Sequence, residues 1–282
     1  MIIWLASYPK SGNTWVRSMI TSLLYSDDGF FKVETLNKIP QFPDKKYFQN
    51  FTNNFGDINE IKKYWVLAQD KINLDNEIKF FKTHNINCKI GEYSFTDRRN
   101  TLATIYIIRD PRNLVSSISN HYSKTITDSK DFLLSPNFIG GSQKRGGIKK
   151  DDLLTLLGTW SDHYKFWKRN NENYLLIKYE DLINNTEGQL NKIIFFLRKF
   201  IPIKTDNNKN KNIIESTSFG QLKEIENQGK FKENAFNKIS NEKVNFFHLG
   251  PKNNWENILD KDIKEEIENK LRKEMQELGY LF

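Results

Sequence analysis

The chain has 282 residues, enough for one large α/β domain or two small ones with a buried core. Its 38% hydrophobic and 28% charged content excludes a disordered tail protein and a collagen-like fibre. Lys and Arg total 43 against 35 Asp and Glu, and the resulting charge of +8 suits an anionic ligand without being large enough to indicate nucleic acid.

The N-terminus Met1-Ile2-Ile3-Trp4-Leu5-Ala6 is apolar but lacks a basic start, so it reads as a buried first strand over 2–8 and not as a signal peptide. Trp15, Met19, Ile20, Leu23 and Leu24 follow at helical spacing over 14–25. The turn between them, Tyr8 to Thr14, has the strand–turn–helix layout that aims backbone N–H groups at an anion. The next stretch, 27–75, is rich in aromatics, including Phe42, Phe48, Phe51 and Trp65. It fits either core packing or an apolar substrate pocket.

Strands are predicted over 78–83, ending at His84, and over 101–108, ending at Arg109-Asp110-Pro111. Pro111 suits the first turn of a helix running to about 124. Residues 125–150 are polar, with Gly140-Gly141 and Gly146-Gly147 around Lys144-Arg145, and read as a mobile loop. A helix is expected over 152–170, a strand over 174–178, a helix over 190–200, a polar linker over 203–212 and a helical core stripe over 258–278. Alternating strands and helices predict an α/β fold. Its central, mainly parallel sheet is flanked by helices, with a P-loop-like phosphate turn after the first strand. Residues 1–282 are expected to form a single domain.

Three segments carry chemistry. In Lys10-Ser11-Gly12-Asn13-Thr14 a cation, hydroxyls and a flexible Gly surround the turn. The Walker A order Gly-x-x-x-x-Gly-Lys-Ser/Thr is absent. Lys82-Thr83-His84 closes a buried strand, and strand carboxyl ends are where open α/β sheets bind ligands. A His there suits general-base work, and equally a structural role. Arg109, at the next strand end, can fork onto a phosphate with help from Ser117, or pair with Asp110 or another acid. The lone Cys88 excludes a disulfide framework and a Cys-based zinc site and points to a reducing, cytoplasmic setting. His84, His121, His163 and His248 share no metal-ligand spacing, so no metal is expected. No apolar run reaches the roughly 18 residues of a membrane helix.

Taken in order, these segments resemble the cytosolic-type sulfotransferases, which use 3′-phosphoadenosine 5′-phosphosulfate (PAPS) and release 3′-phosphoadenosine 5′-phosphate (PAP). Tyr8 to Trp15 resembles the family's 5′-phosphosulfate loop, and Lys82-Thr83-His84 its catalytic segment. Arg109 and Ser117 have the spacing of its 3′-phosphate clamp. Tyr179-Glu180-Asp181 and Thr217-Ser218-Phe219 resemble segments that border the adenine. Gly250 and Trp255 match the C-terminal Arg-Lys-Gly-x-x-Gly-x-Trp loop. The resemblance covers residues 5–255. It departs at His248 and Leu249, which stand where the family has Arg and Lys, and at Asn13, where Thr is common. The family's dimer motif is not evident after Trp255, so no oligomeric state is carried over.

The resemblance implies sulfuryl transfer to a hydroxyl or amine acceptor by in-line attack, without a metal. His84 would be the general base, Lys10 would stabilise the leaving group and Lys82 the transferring charge. Ser11, Gly12, Asn13 and Thr14 would cradle the 5′ end, with Trp15 stacked on adenine. Arg109, Ser117, Tyr179, Thr217, Phe219, His248, Leu249 and Gly250 would complete the donor site. The expected partner is a small apolar or amphipathic alcohol, with no nucleic acid. Two other readings remain: a P-loop-type phosphotransferase, and a relative that binds anions without catalysis.

Overall fold

The computed structural model describes residues 1–140, 153–169, 172–231, 233, 235–236 and 243–282. In chain order the first half forms β1 (Ile2–Ser7), α1 (Asn13–Tyr25), α2 (Lys45–Phe48), α3 (Ile58–Ile61), α4 (Trp65–Ile72), β2 (Lys79–Thr83), β3 (Lys89–Ile90), β4 (Tyr93–Ser94), β5 (Thr101–Ile108), α5 (Pro111–Tyr122) and α6 (Ile126–Leu134). Then come β6 (Asn137–Gly140), β7 (Leu154–Gly158), α7 (Trp160–Arg169), β8 (Tyr174–Lys178), α8 (Tyr179–Asn184), α9 (Thr186–Leu197), α10 (Asn207–Ser216), α11 (Phe219–Asn227), β9 (Ala235–Phe236), β10 (Lys243–Val244), α12 (Lys261–Lys270) and α13 (Arg272–Glu277).

The central sheet is parallel, with strand order β2-β1-β5-β8. Ile2 pairs with Lys79 and Ala6 with Thr83, which fixes the β1–β2 register. Ile2 to Ala6 are fully buried, as expected for a strand covered on both faces. The chain divides into two compact units that interleave in sequence. Unit 1 takes Met1–Pro9, Pro40–Tyr106 and Asp131–Tyr174; unit 2 takes Lys10–Ile39, Ile107–Lys130 and Leu175–Phe282.

The core of unit 1 is aromatic. Phe42 lies 5.7 Å from Trp4, 5.5 Å from Phe48 and 5.8 Å from Phe95, ring centre to ring centre. Phe42, Phe48 and Trp65 are fully buried. These rings of the 27–75 stretch therefore build core, and they supply no argument for an apolar substrate pocket.

Unit 2 packs α1 against residues 33–38 and α10. Its C-terminal stripe buries Ile267, Leu271, Met275 and Leu278, but the helix breaks at Leu271 into α12 and α13. Arg112 ties this end down. Its guanidinium forks onto Asp110, donates to Glu268 at 2.6 Å and to the Tyr280 carbonyl at 2.9 Å.

Three expectations are corrected. The expected loop over 125–150 begins instead with α6 and β6; its later part, including Gly141, Lys144-Arg145 and Gly146-Gly147, lies outside the described residues. The helix expected over 152–170 is β7 followed by α7. Leu154–Gly158 pairs antiparallel with β6, and Gly158 turns the chain at φ 65° before the helix starts. The linker expected over 203–212 is the start of α10, capped where Asp206 accepts from the Lys209 N–H at 2.8 Å.

Candidate active site

Each chemistry-bearing segment leaves the carboxyl end of a strand of the sheet. β1 ends at Ser7 and the anion turn follows; β2 ends at Thr83 and His84 follows; β5 ends at Ile108 and Arg109 follows.

In unit 2 the turn requires two residues with positive φ, Lys10 at 69° and Gly12 at 100°. Gly12 is doubly constrained. A Cβ there would meet Tyr179 Cδ2 at 2.6 Å. Helix α1 starts at this glycine with no side-chain cap and no acidic residue of its own in its first turn, where the Thr14 hydroxyl donates to Glu233. Ser11 is fully buried, and its Oγ has no hydrogen-bond partner. A buried hydroxyl left unsatisfied costs free energy unless a ligand completes it.

The Arg109 guanidinium donates to Ser117 Oγ at 3.1 Å and to the Lys10 carbonyl at 3.3 Å. It lies 4.1 Å from the centre of the Tyr179 ring, and its Nε is buried without a partner. Asp110 does not pair with it, being occupied by Arg112 and by capping α5. Among the described residues Arg109 has no carboxylate partner, so its charge is held in place without being neutralised. The Trp15 ring packs edge-on against Tyr179 at 5.9 Å. Glu180, the tempting acid, accepts from the Asp110 N–H and the Tyr280 hydroxyl, and burial pushes its carboxyl above the usual range. It therefore holds the backbone next to Arg109.

The C-terminal loop is bolted to the same unit. The buried Glu226 carboxylate accepts the Phe246 and Phe247 N–H groups at 2.6 and 2.9 Å. Lys10 Nζ lies 3.6 Å above the Phe246 ring and donates to its carbonyl. Gly250 adopts φ +56°, and a Cβ there would meet the Phe219 ring at 2.3 Å. Thr217 is fully buried and spends its hydroxyl on the Ile213 carbonyl at 2.7 Å. His248 is exposed, while Leu249 is half-buried. Partial burial, with the Lys223 and Lys10 charges, lowers the His248 pKa below the usual histidine value. His121 packs its ring edge-on to Phe246 at 5.8 Å.

In unit 1, His84 Nδ1 lies 2.8 Å from the Ser7 carbonyl and 3.3 Å from Ser7 Oγ. A carbonyl only accepts, so Nδ1 carries the hydrogen, and in the neutral ring Nε2 is the basic nitrogen. Lys82 is buried on β2, whose edge is covered by chain 40–42: the Lys82 N–H donates to Pro40 and its carbonyl accepts from Phe42, both at 2.9 Å. Among the described residues no cluster of three or more His, Cys, Asp or Glu side chains is placed to hold a metal ion. No described helix is long and apolar enough to cross a membrane.

Residues 2–279 match the sulfotransferase domain family. The chain belongs to that family. It is 24% identical over 226 residues to the 3-alpha-hydroxysteroid sulfotransferase of Cavia porcellus, covering 78% of this chain and 65% of the relative. It is 24% identical over 197 residues to sulfotransferase 2B1 of Homo sapiens, covering 69% of this chain and 46% of the relative. The sulfotransferase-family chain thus spans less than two thirds of either relative. A mouse sulfotransferase solved in complex with PAP superimposes with a TM-score of 0.59 at 20% identity, over 97% of this chain and 84% of that one. That likeness shows the fold.

Within this family chain, several contacts were not legible in the sequence. Glu233 accepts from Arg17 at 2.5 Å and from the Thr14 hydroxyl at 3.3 Å, beside the anion turn. Asn253 donates to the Asn113 carbonyl and accepts from Ser116, while the Trp255 N–H donates to Asn113 Oδ1. These bonds fasten the C-terminal loop to α5. Their only sequence signal was amide residues in a loop, which is too common to single out.

Proposed function

We propose that the chain transfers a sulfuryl group from PAPS to the hydroxyl of a small-molecule acceptor. The supporting observation is that one family match spans the anion turn, His84, Arg109 and the C-terminal loop. The residues fit the donor. The orphaned Ser11 Oγ and Arg109 Nε are buried polar atoms of the kind a phosphate completes.

In this reading Ser11, Gly12, Asn13 and Thr14 hold the 5′ end, and Arg109 with Ser117 holds the 3′-phosphate. Tyr179, Trp15, Phe219, Thr217 and Gly250 border the base. PAPS supplies a sulfuryl group on a phosphate leaving group. The acceptor oxygen forms a bond to sulfur as the bond from sulfur to the phosphate oxygen breaks. His84 takes the acceptor proton at Nε2. Lys10 stabilises the charge on the departing phosphate, and Lys82 the charge on the transferring oxygens. Leu249 removes one cation from the usual 3′-phosphate grip, and burial with the Lys223 and Lys10 charges favours the neutral form of His248. Arg109 therefore carries more of that load here.

The name of the guinea-pig relative supports an alicyclic alcohol as acceptor. The single Cys88 is consistent with work in a reducing cytoplasm. Thermal unfolding with PAP, 5′-AMP and Mg-ATP tests the donor class. Ligand at about 100 times its Kd adds roughly 2.7 kcal/mol, a rise in Tm of several degrees. A rise with PAP alone supports the reading. No rise with PAP, or a preference for Mg-ATP, overturns it.

A further inference from the structure

Helix α7 presents His163 and Trp167 on one face, four residues apart. Both reach the two carbonyls that follow β2. His163 Nε2 lies 3.1 Å from the His84 carbonyl, and Trp167 Nε1 donates to the Asn85 carbonyl at 2.9 Å. Asn85 Oδ1 also accepts the Leu156 N–H from β7. The backbone that carries His84 is thus pinned at successive residues.

Because His163 Nε2 faces a carbonyl, it carries the hydrogen. His163 Nδ1 then accepts, and its partner is the Tyr106 hydroxyl at 2.8 Å. Tyr106 and His163 are both buried. Burial lowers the His163 pKa to about 3, so the ring stays neutral and keeps its one donor and one acceptor through the working pH range. The His84 carbonyl thereby fixes the tautomer of His163, and the Tyr106 hydroxyl, able to donate or accept, donates to the remaining nitrogen. At the far end His84 Nδ1 donates to Ser7. All four residues lie in unit 1.

We infer that Tyr106 and His163 are positioning residues: a buried hydrogen-bonded pair that holds the His84 backbone in place, so that the ring keeps its Nδ1 bond to the Ser7 carbonyl and Nε2 stays the basic nitrogen. This inference rests on the reading of His84 as general base for its catalytic meaning, but not for its structural content.

The test uses the full chain with His163→Leu, His163→Gln, Tyr106→Phe and His84→Ala. Gln places an N–H near the position of Nε2, whereas Leu places none. The first measurement is the tautomer of the His84 ring by long-range 1H–15N NMR, with the four histidines assigned by substitution. We expect the Nδ1–H form in the wild type and in His163→Gln. In His163→Leu, and to a smaller extent in Tyr106→Phe, we expect Nε2–H to appear. The second measurement is turnover of a 3α-hydroxysteroid with PAPS. His163→Leu should lower kcat by about tenfold to a hundredfold, as expected of a misplaced reacting group, with KM for PAPS within about threefold. His163→Gln should recover most of kcat. If His163→Leu fails to fold, Tyr106→Phe and His163→Gln decide. An unchanged His84 tautomer in His163→Leu or Tyr106→Phe overturns the pair's positioning role, as does an equal loss in Gln and Leu. Full turnover in His84→Ala would instead overturn the catalytic reading of His84 and leave the NMR result to judge that role.

Discussion

The Arg109 guanidinium lies 4.1 Å from the centre of the Tyr179 ring, while a Cβ on Gly12 would strike that ring at 2.6 Å. One aromatic side chain thus orients a buried cation and limits the anion turn to glycine. The cation–π contact and the Ser117 bond hold Arg109 without supplying a counter-charge.

Arg109→Ala should therefore weaken PAP far more than 5′-AMP. Hydrogen bonds to charged groups are worth about 1.5–3 kcal/mol each, so the selective loss should be at least roughly tenfold. Arg109→Lys should fall between, keeping the charge but losing the fork and the stacking. Titration calorimetry with the two nucleotides checks this. Equal losses for both would remove Arg109 from the 3′-phosphate.

Gly12→Ala tests the turn. A non-glycine residue at φ 100° costs on the order of 1–2 kcal/mol in strain, before any movement of Tyr179. Calorimetric Tm should fall by several degrees, and PAP affinity should fall with it, because Tyr179 and Arg109 would shift together. A variant with wild-type Tm and PAP affinity would show that the turn accommodates a side chain.

His84→Ala should cut turnover by roughly 10²–10⁴-fold, the usual worth of general acid–base catalysis, while PAP binding changes little. Steady-state kinetics with a PAP titration separates the two effects. Turnover near the wild-type level would assign the proton to another group.

What the sequence disclosed follows from how local each signal is. The central strands were legible because a continuous apolar run buried on both faces has few other readings; Ile2 to Ala6 and Ile105 to Ile108 are such runs. The anion turn and the strand-end His84 and Arg109 were legible because each is contiguous in the chain. β7 was misread because Leu153, Leu156, Leu157 and Trp160 also fit helical spacing, and periodicity alone cannot separate the two for a short apolar run. α10 was missed because its Asn- and Lys-rich sequence fully buries only Ile213, although Asp206 was a readable cap. The Tyr106–His163 pair was invisible for a different reason. Tyr106 reads as a core strand residue and His163 as a core helix residue, and only the fold brings Tyr106 to His163 and His163 to the His84 backbone.

The buried His163 also makes an acid-stability prediction. Its pKa falls from 6.5 in the unfolded chain to about 3 in the folded one, through burial first. Between those values the unfolded chain binds the extra proton. The stability it contributes is therefore complete above about pH 6.5 and is lost as pH falls toward 3, to an extent on the order of a few kcal/mol. Glu180 acts in the opposite sense: its raised pKa favours the folded state at low pH, and that contribution fades as pH rises. The difference between wild type and His163→Gln cancels Glu180 and every other shared group. Gln cannot titrate, so urea midpoints of the two proteins should converge as pH falls from 7 to 4, with the wild type losing stability faster. Parallel midpoints across that range would mean that His163 titrates normally in the fold.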